Sequence, residues 1–173
     1  MLRIIGTMSG TSLDGVDAAW VETDGERVGV LGPAVTLPYG PELRRDLRRL
    51  LELAPSIAAD DPFLRDCEAR LTERHATAIT RVALEAAKAG LPAAELAAFH
   101  GQTILHRPRG RGDLSNQAGF TWQIGDARAL ARLTGLSVAH DFRTADVAAG
   151  GQGAPLVPIA HAALAHAPSR WRC

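Results

Sequence analysis

The chain has 173 residues, with 19 basic and 19 acidic side chains and a formal net charge of zero. That length makes one domain the default and lets the chain bury roughly 70% of its unfolded surface in a core. The balanced charge excludes a nucleic-acid or acidic-membrane footprint, no run approaches the ~18 apolar residues of a membrane span, and Cys67 and Cys173 make neither a disulfide framework nor a zinc pattern. A reducing cytoplasm fits, and the start of the chain has no basic-then-apolar leader.

Residues 2–8, 16–24 and 27–36 read as three strands, with Asp24-Gly25 as the second turn. The first turn lies in the stretch 6–17, GTMSGTSLDGVD. Its glycines let backbone N–H groups approach an anion, its hydroxyls add donors, and Asp14 and Asp17 make sense beside a divalent cation, through its waters. The expected ligand is a metal-complexed nucleotide phosphate. The same composition also serves a plain hairpin turn. A Walker loop is absent, and the sole lysine, Lys88, lies elsewhere.

Pro38 and Pro41 end the meander. Leu43, Leu47, Leu50 and Leu51 at helical spacing predict a helix over 41–54. Asp60-Asp61-Pro62 starts a second helix, running to residue 89 with Leu64, Cys67, Leu71, Ala78, Val82 and Ala86 inward and Gly90 as its stop. His75 on that helix reads as structural or exposed. Residues 94–99 predict a short buried strand ending at His100-Gly101-Gln102-Thr103, and 107–117 a polar loop. A strand over 119–124 leads to Gly125-Asp126, then a helix over 127–133, a strand over 136–139, a flexible loop over 149–155 and the start of a helix over 156–165. The order predicts a ribonuclease-H-like α/β plan, an antiparallel part extended by parallel strands. Polar clusters follow strands at 9–17, 100–103, 125–126 and 140–146, where α/β sheets collect ligands. Arg143 among Asp141 and Asp146 is either a structural ion pair or an anchor for a carboxylate or carbonyl. Gly150-Gly151-Gln152-Gly153 permits close ligand approach or hinge motion, or is a mobile loop.

Taken in order, GTMSGTSLDGVDA (6–18), FHGQTILHRP (99–108), QIGD (123–126), HDFRTADVAAGGQGAPLVP (140–158) and His161 resemble the anhydro-N-acetylmuramic acid kinases. The resemblance implies the actin/sugar-kinase/Hsp70 fold group, a mixed sheet with flanking helices, and a second domain absent from these residues. It implies ATP and Mg²⁺ as cofactors, and an amino sugar, 1,6-anhydro-N-acetylmuramic acid, as substrate. The sugar ring is opened by water and phosphorylated at O6 in cytoplasmic cell-wall recycling, with a homodimer allowed. By motif, Gly10, Thr11, Ser12, Leu13, Asp14, Gly15, Val16 and Asp17 form the ATP-phosphate loop, with Asp14 near the metal through water. His100, Gln102, Asp126, Arg143, Asp146 and Gln152 line the sugar side.

The family's chains are about twice this length. Their second glycine-rich segment and their Phe-Asp-x-Gly-Pro-Gly-Asn segment, which carries the general-base aspartate, are not among these 173 residues. The expectation is an N-terminal domain over 1–165, inactive alone and prone to association through its interdomain face. Residues 166–173 depart from the family's apolar strand. One base inserted after an assumed CCG for Pro168 restores Pro-Glu-Pro-Val-Ala-Val, so a frameshift is expected there, with truncation at a domain boundary as its rival. The alternative function is a standalone sugar- or nucleotide-binding module that does not turn over.

Overall fold

The structure is a computed structural model that describes residues 1–109 and 119–165. β1 (Leu2–Ser9), β2 (Gly15–Thr23) and β3 (Val28–Pro38) form the antiparallel meander. Asp24 shapes its second turn, its Oδ1 accepting from Glu26 N at 3.0 Å and Arg27 N at 2.7 Å. Helices α1 (Pro41–Leu53) and α2 (Pro62–Lys88) follow. Asp61 caps α2 by accepting from Phe63 N at 2.8 Å, which satisfies one of the helix's orphan donors, and Gly90 follows its end at φ 73°. Next come β4 (Leu96–Arg107), β5 (Phe120–Ile124), α3 (Ala127–Thr134), β6 (Ser137–His140), α4 (Thr144–Ala148) and α5 (Val157–Ala165).

The strands make one six-stranded sheet in the order β3-β2-β1-β4-β5, with β6 also on β4. β4 runs parallel to β1 and, through its first residues, parallel to β6; its later half pairs antiparallel with β5. The result is the mixed sheet with flanking helices that the sequence predicts.

Alternation along the strands sends Ile5, Val16, Trp20, Leu37 and Phe99 to one face. There they meet Leu71, Ile79 and Val82 of α2, and Leu47 and Leu50 of α1 joins the same core. α3 lies beside α2 and β6. The opposite face carries small or exposed residues, Gly6, Met8, Asp17, Ala19, Ala34 and Ala98, and none of the nine α5 residues is buried. Among the described residues, no helix is long and apolar enough to cross a membrane.

Two expectations are revised. The strand predicted over 94–99 does not stop before His100; β4 continues to Arg107, through the polar cluster. Its pairing steps from Thr7↔Phe99 to Ser9↔Gln102, two residues of β1 against three of β4, which is a β-bulge. Gly101 carries it at φ 69°, and a Cβ there would overlap the Ile124 carbonyl oxygen. The extra residue turns Gln102 into the core. The short α4 falls where no element is expected. The rest of the predicted 107–117 loop beyond residue 109, and the divergent tail 166–173, lie outside the described residues.

Candidate functional site

β1, β4 and β6 are parallel, so their chain directions agree. The turn after Ser9, the side chain of His100 and the segment after His140 therefore emerge at one end of the sheet.

In the first turn Leu13 N donates to Gly10 O at 3.2 Å, and Leu13 adopts φ 56°. That left-handed backbone is costly for leucine, and burial of its side chain at 2% exposure holds it there. Leu13 and Val16 are anchors facing the core, while Thr11, Ser12 and Asp14 are exposed. The Thr11 and Ser12 hydroxyls make no hydrogen bond among the described residues. Gly15 packs so closely on β3 that a Cβ would overlap the Leu37 carbonyl. Asp14 Oδ1 accepts from Arg44 Nη2 at 3.0 Å, an exposed pair that exchanges readily. Asp17 Oδ1 accepts from Thr36 Oγ1 at 2.6 Å.

This donor set fits a metal-complexed phosphate. No group of three His, Cys, Asp or Glu that could cage a metal occurs among the described residues. A hard divalent ion that keeps most of its waters needs only one or two carboxylates beside the phosphate oxygens, and Asp14 can be one.

The second cluster is a connected unit. Arg143 Nε donates to His100 Nε2 at 2.9 Å, and Arg143 Nη1 donates to Gly153 O at 2.5 Å. His100 Nε2 must then be unprotonated, so Nδ1 carries the proton and donates to Gly101 O at 3.0 Å. Burial holds the His100 pKa below its usual value; the Gly101 carbonyl opposes this, and the Arg143 charge adds to it. Asp146 Oδ2 accepts from Gly153 N at 2.6 Å. His100, Arg143 and Asp146 thus fasten the glycine-rich loop onto α4, whose Val147 lies buried beneath it. Arg143 forms no ion pair with a carboxylate among the described residues, and its Nη2 has no partner there. The rival ion-pair reading of Arg143 is therefore not what the structure has. A free guanidinium edge is what an anionic group would meet. Around its partner His100, a cavity of about 150 Å³ is lined by His100, Gln123, His140, Asp141 and Thr144. A larger groove of about 580 Å³ crosses the uncovered face from Asp17 and Thr36 past Gly6 and Ala98 to Phe142.

The other expected sugar-side residues lie differently. Gln102 is fully buried; the bulge turns it inward, where its Oε1 accepts from Ser9 Oγ and its Nε2 donates to Thr103 O at 3.0 Å. It lines no open surface here. Asp126 caps α3, its Oδ1 accepting from Ala129 N at 2.9 Å, and faces a separate groove with Glu68, Thr72 and Arg132. Gln152 Nε2 donates to Arg109 O at 2.7 Å, bracing the loop. Tyr39, Thr36 and Arg44 belong to the site's framework and were not singled out in sequence, while Ser9 stood there only as one hydroxyl of the glycine-rich stretch. Tyr39 gave one signal, being the chain's sole tyrosine, directly after Pro38.

Arg143→Ala should free the loop: losing a part-buried guanidinium with two acceptors costs about 2 kcal/mol locally. Hydrogen exchange at the Gly153 amide should then accelerate by at least about tenfold. Unchanged protection would mean that Asp146 holds the loop alone.

Comparison with known proteins gives one consistent family. The family model described as "Anhydro-N-acetylmuramic acid kinase" matches residues 2–173. A protein of that name from Acidiphilium cryptum is 55% identical over 166 residues, covering 96% of this chain and 42% of the relative. The Gluconobacter oxydans protein is 51% identical, with 96% and 43% covered. One from Rhodopseudomonas palustris is 47% identical, with 98% and 45% covered. The chain spans less than half the length of these curated relatives.

Proposed function

Because this chain belongs to the anhydro-N-acetylmuramic acid kinase family, we propose that residues 1–165 form its N-terminal actin-like domain, the ATP-phosphate wall and part of the sugar wall of the kinase. The whole enzyme opens 1,6-anhydro-N-acetylmuramic acid with water and transfers a phosphoryl group to O6, in the cytoplasm. The observation that carries this reading is the exposed turn after β1, with its unengaged Thr11 and Ser12 hydroxyls at the same sheet end as Arg143. Bound ATP with Mg²⁺ supplies the γ-phosphoryl group and neutralises its charge.

Residues 10–17 cradle the phosphates through backbone N–H groups and hydroxyls, and Leu13 and Val16 anchor the turn in the core. Asp14, whose exposed pair with Arg44 exchanges readily, would hold a metal's water beside the phosphates. Arg143 presents its free guanidinium edge to the sugar's carboxylate; His100 and Asp146 hold that arginine and its loop in place. Gln152 braces the glycine-rich loop, Gln102 supports the site from below, and Asp126 stands at the neighbouring groove. Phosphoryl transfer asks mainly for positioning and charge neutralisation, and these residues supply both.

The 173-residue chain alone should show no turnover, because the general-base segment and the opposing wall are not among its residues. Fusing residues 1–165 to the C-terminal part of the Acidiphilium cryptum relative should give ATP-dependent phosphorylation of the anhydro-sugar. A folded fusion without activity, or wild-type-like turnover by the isolated chain, would sink the reading.

A further inference from the structure

One buried polar chain runs beneath both clusters and belongs to neither. Tyr39 OH donates to Ser9 Oγ at 2.6 Å. Ser9 Oγ donates to Gln102 Oε1, and Gln102 Nε2 donates to Thr103 O at 3.0 Å. Tyr39, Ser9 and Gln102 are 7%, 1% and 0% exposed. Leaving a group buried so deeply without a partner is far costlier than the net gain of the bond. The network is complete in one register alone: Ser9 opposite Gln102, which requires the bulge at Gly101. In a regular strand Gln102 would share the face of His100; the bulge separates them, with Gln102 in the core and His100 on the other face, where Arg143 meets it.

Tyr39 also holds the turn at its other end. Its backbone N donates to Asp14 O at 3.1 Å. One residue therefore grips the 10–14 turn twice, at Asp14 through its backbone and at Ser9, next to Gly10, through its hydroxyl. Its ring is buried, and that burial pushes the phenol pKa up to about 12, so the hydroxyl stays protonated as the donor that the chain requires.

We propose that Tyr39 is a positioning residue that sets the shape of the phosphate turn and, through Ser9 and Gln102, couples it to the His100–Arg143 cluster. The coupling itself is geometric; its effect on nucleotide rests on the function proposed above.

Tyr39→Phe tests this in the 173-residue chain, because it keeps the ring and the backbone bond and removes only the hydroxyl. NMR of the backbone amides and histidine side chains should show shifts at residues 10–15 and at the His100 ring. Affinity for ATP with Mg²⁺, measured by calorimetry, should fall roughly tenfold, the loss expected for one hydrogen bond. Ser9→Ala should reproduce both changes, and it gives the same readout should Tyr39→Phe fail to fold. Ile79→Val, a core truncation on α2 with its own stability cost, should leave the His100 signals in place. Unmoved His100 signals in both hydroxyl variants, whatever their melting temperatures, would overturn the proposal, as would equal movement in Ile79→Val. Should the unaltered chain bind no nucleotide while Tyr39→Phe still moves both sets of signals, the phosphate reading fails and the coupling stands.

Discussion

Acidification from pH 6.5 towards 3 should steadily cost the folded chain stability, with His75 as the main cause. His75 sits in the middle of α2 at 0% exposure, edge-on to Phe99 with ring centroids 4.8 Å apart. Neither ring nitrogen has a hydrogen-bond partner among the described residues. Burial pushes its pKa down to about 3, and the charge of nearby His100 adds to the shift. In the unfolded chain His75 takes up a proton near pH 6.5, and in the folded chain only near 3. Between those values the unfolded state binds more protons, so stability is full above 6.5 and is lost as the pH falls through the window. The slope approaches ~1.4 kcal/mol per pH unit. His100, lowered by its own burial, acts in the same direction. Urea melts at pH 7.5, 6 and 5 should show this fall, and His75→Leu should flatten most of it. At pH 7.5 the same variant should cost little, because it removes two unpaired polar atoms from an apolar site. Parallel pH profiles for the two proteins would contradict this account.

Gly101→Ala should be among the most damaging single substitutions. The left-handed backbone at φ 69° disfavours any side chain, and the added methyl would overlap the Ile124 carbonyl, which is backbone and cannot step aside. A loss of about 3 kcal/mol or more is expected, lowering the melting temperature by roughly 6–12 °C. Removing the bulge would also turn Gln102 onto the face that carries His100, because a one-residue slip in a strand flips every later side chain. Gln102 would leave Ser9 unpaired and crowd the His100 ring beside Arg143. Calorimetry reads the first effect and the His100 ring signals read the second. A variant melting within a degree or two of the unaltered chain would mean that the bulge is not needed.

The parts of the fold legible in the sequence are those whose signals are local. Leucines at helical spacing announce α1, and Asp61-Pro62 with Gly90 bound α2 to within a residue or two. Asp24-Gly25 marks the second turn because its backbone demands are met by those two residues. The bulge was not legible: Gly101 in a strand is compatible with a stop or a bulge, and pairing with β5 decides between them. The resemblance implies a sugar-side role for Gln102, whereas the bulge turns its side chain into the core. The glycine turn and the arginine cluster stood out by composition, since Gly, Ser, Thr and Asp at strand ends carry their chemistry openly. Tyr39 did not, because its role depends on Ser9 and Asp14 meeting it across the sheet.

The central claim is that the turn at residues 10–17 holds the phosphates of a metal-complexed nucleotide. Amide NMR during titration of the chain with ATP, with and without Mg²⁺, tests it most directly. The account predicts saturable shifts concentrated at Gly10, Thr11, Ser12 and Asp14, dependent on Mg²⁺ and weakened by Asp14→Asn. Shifts confined to other surfaces, or none at millimolar ATP, would contradict it.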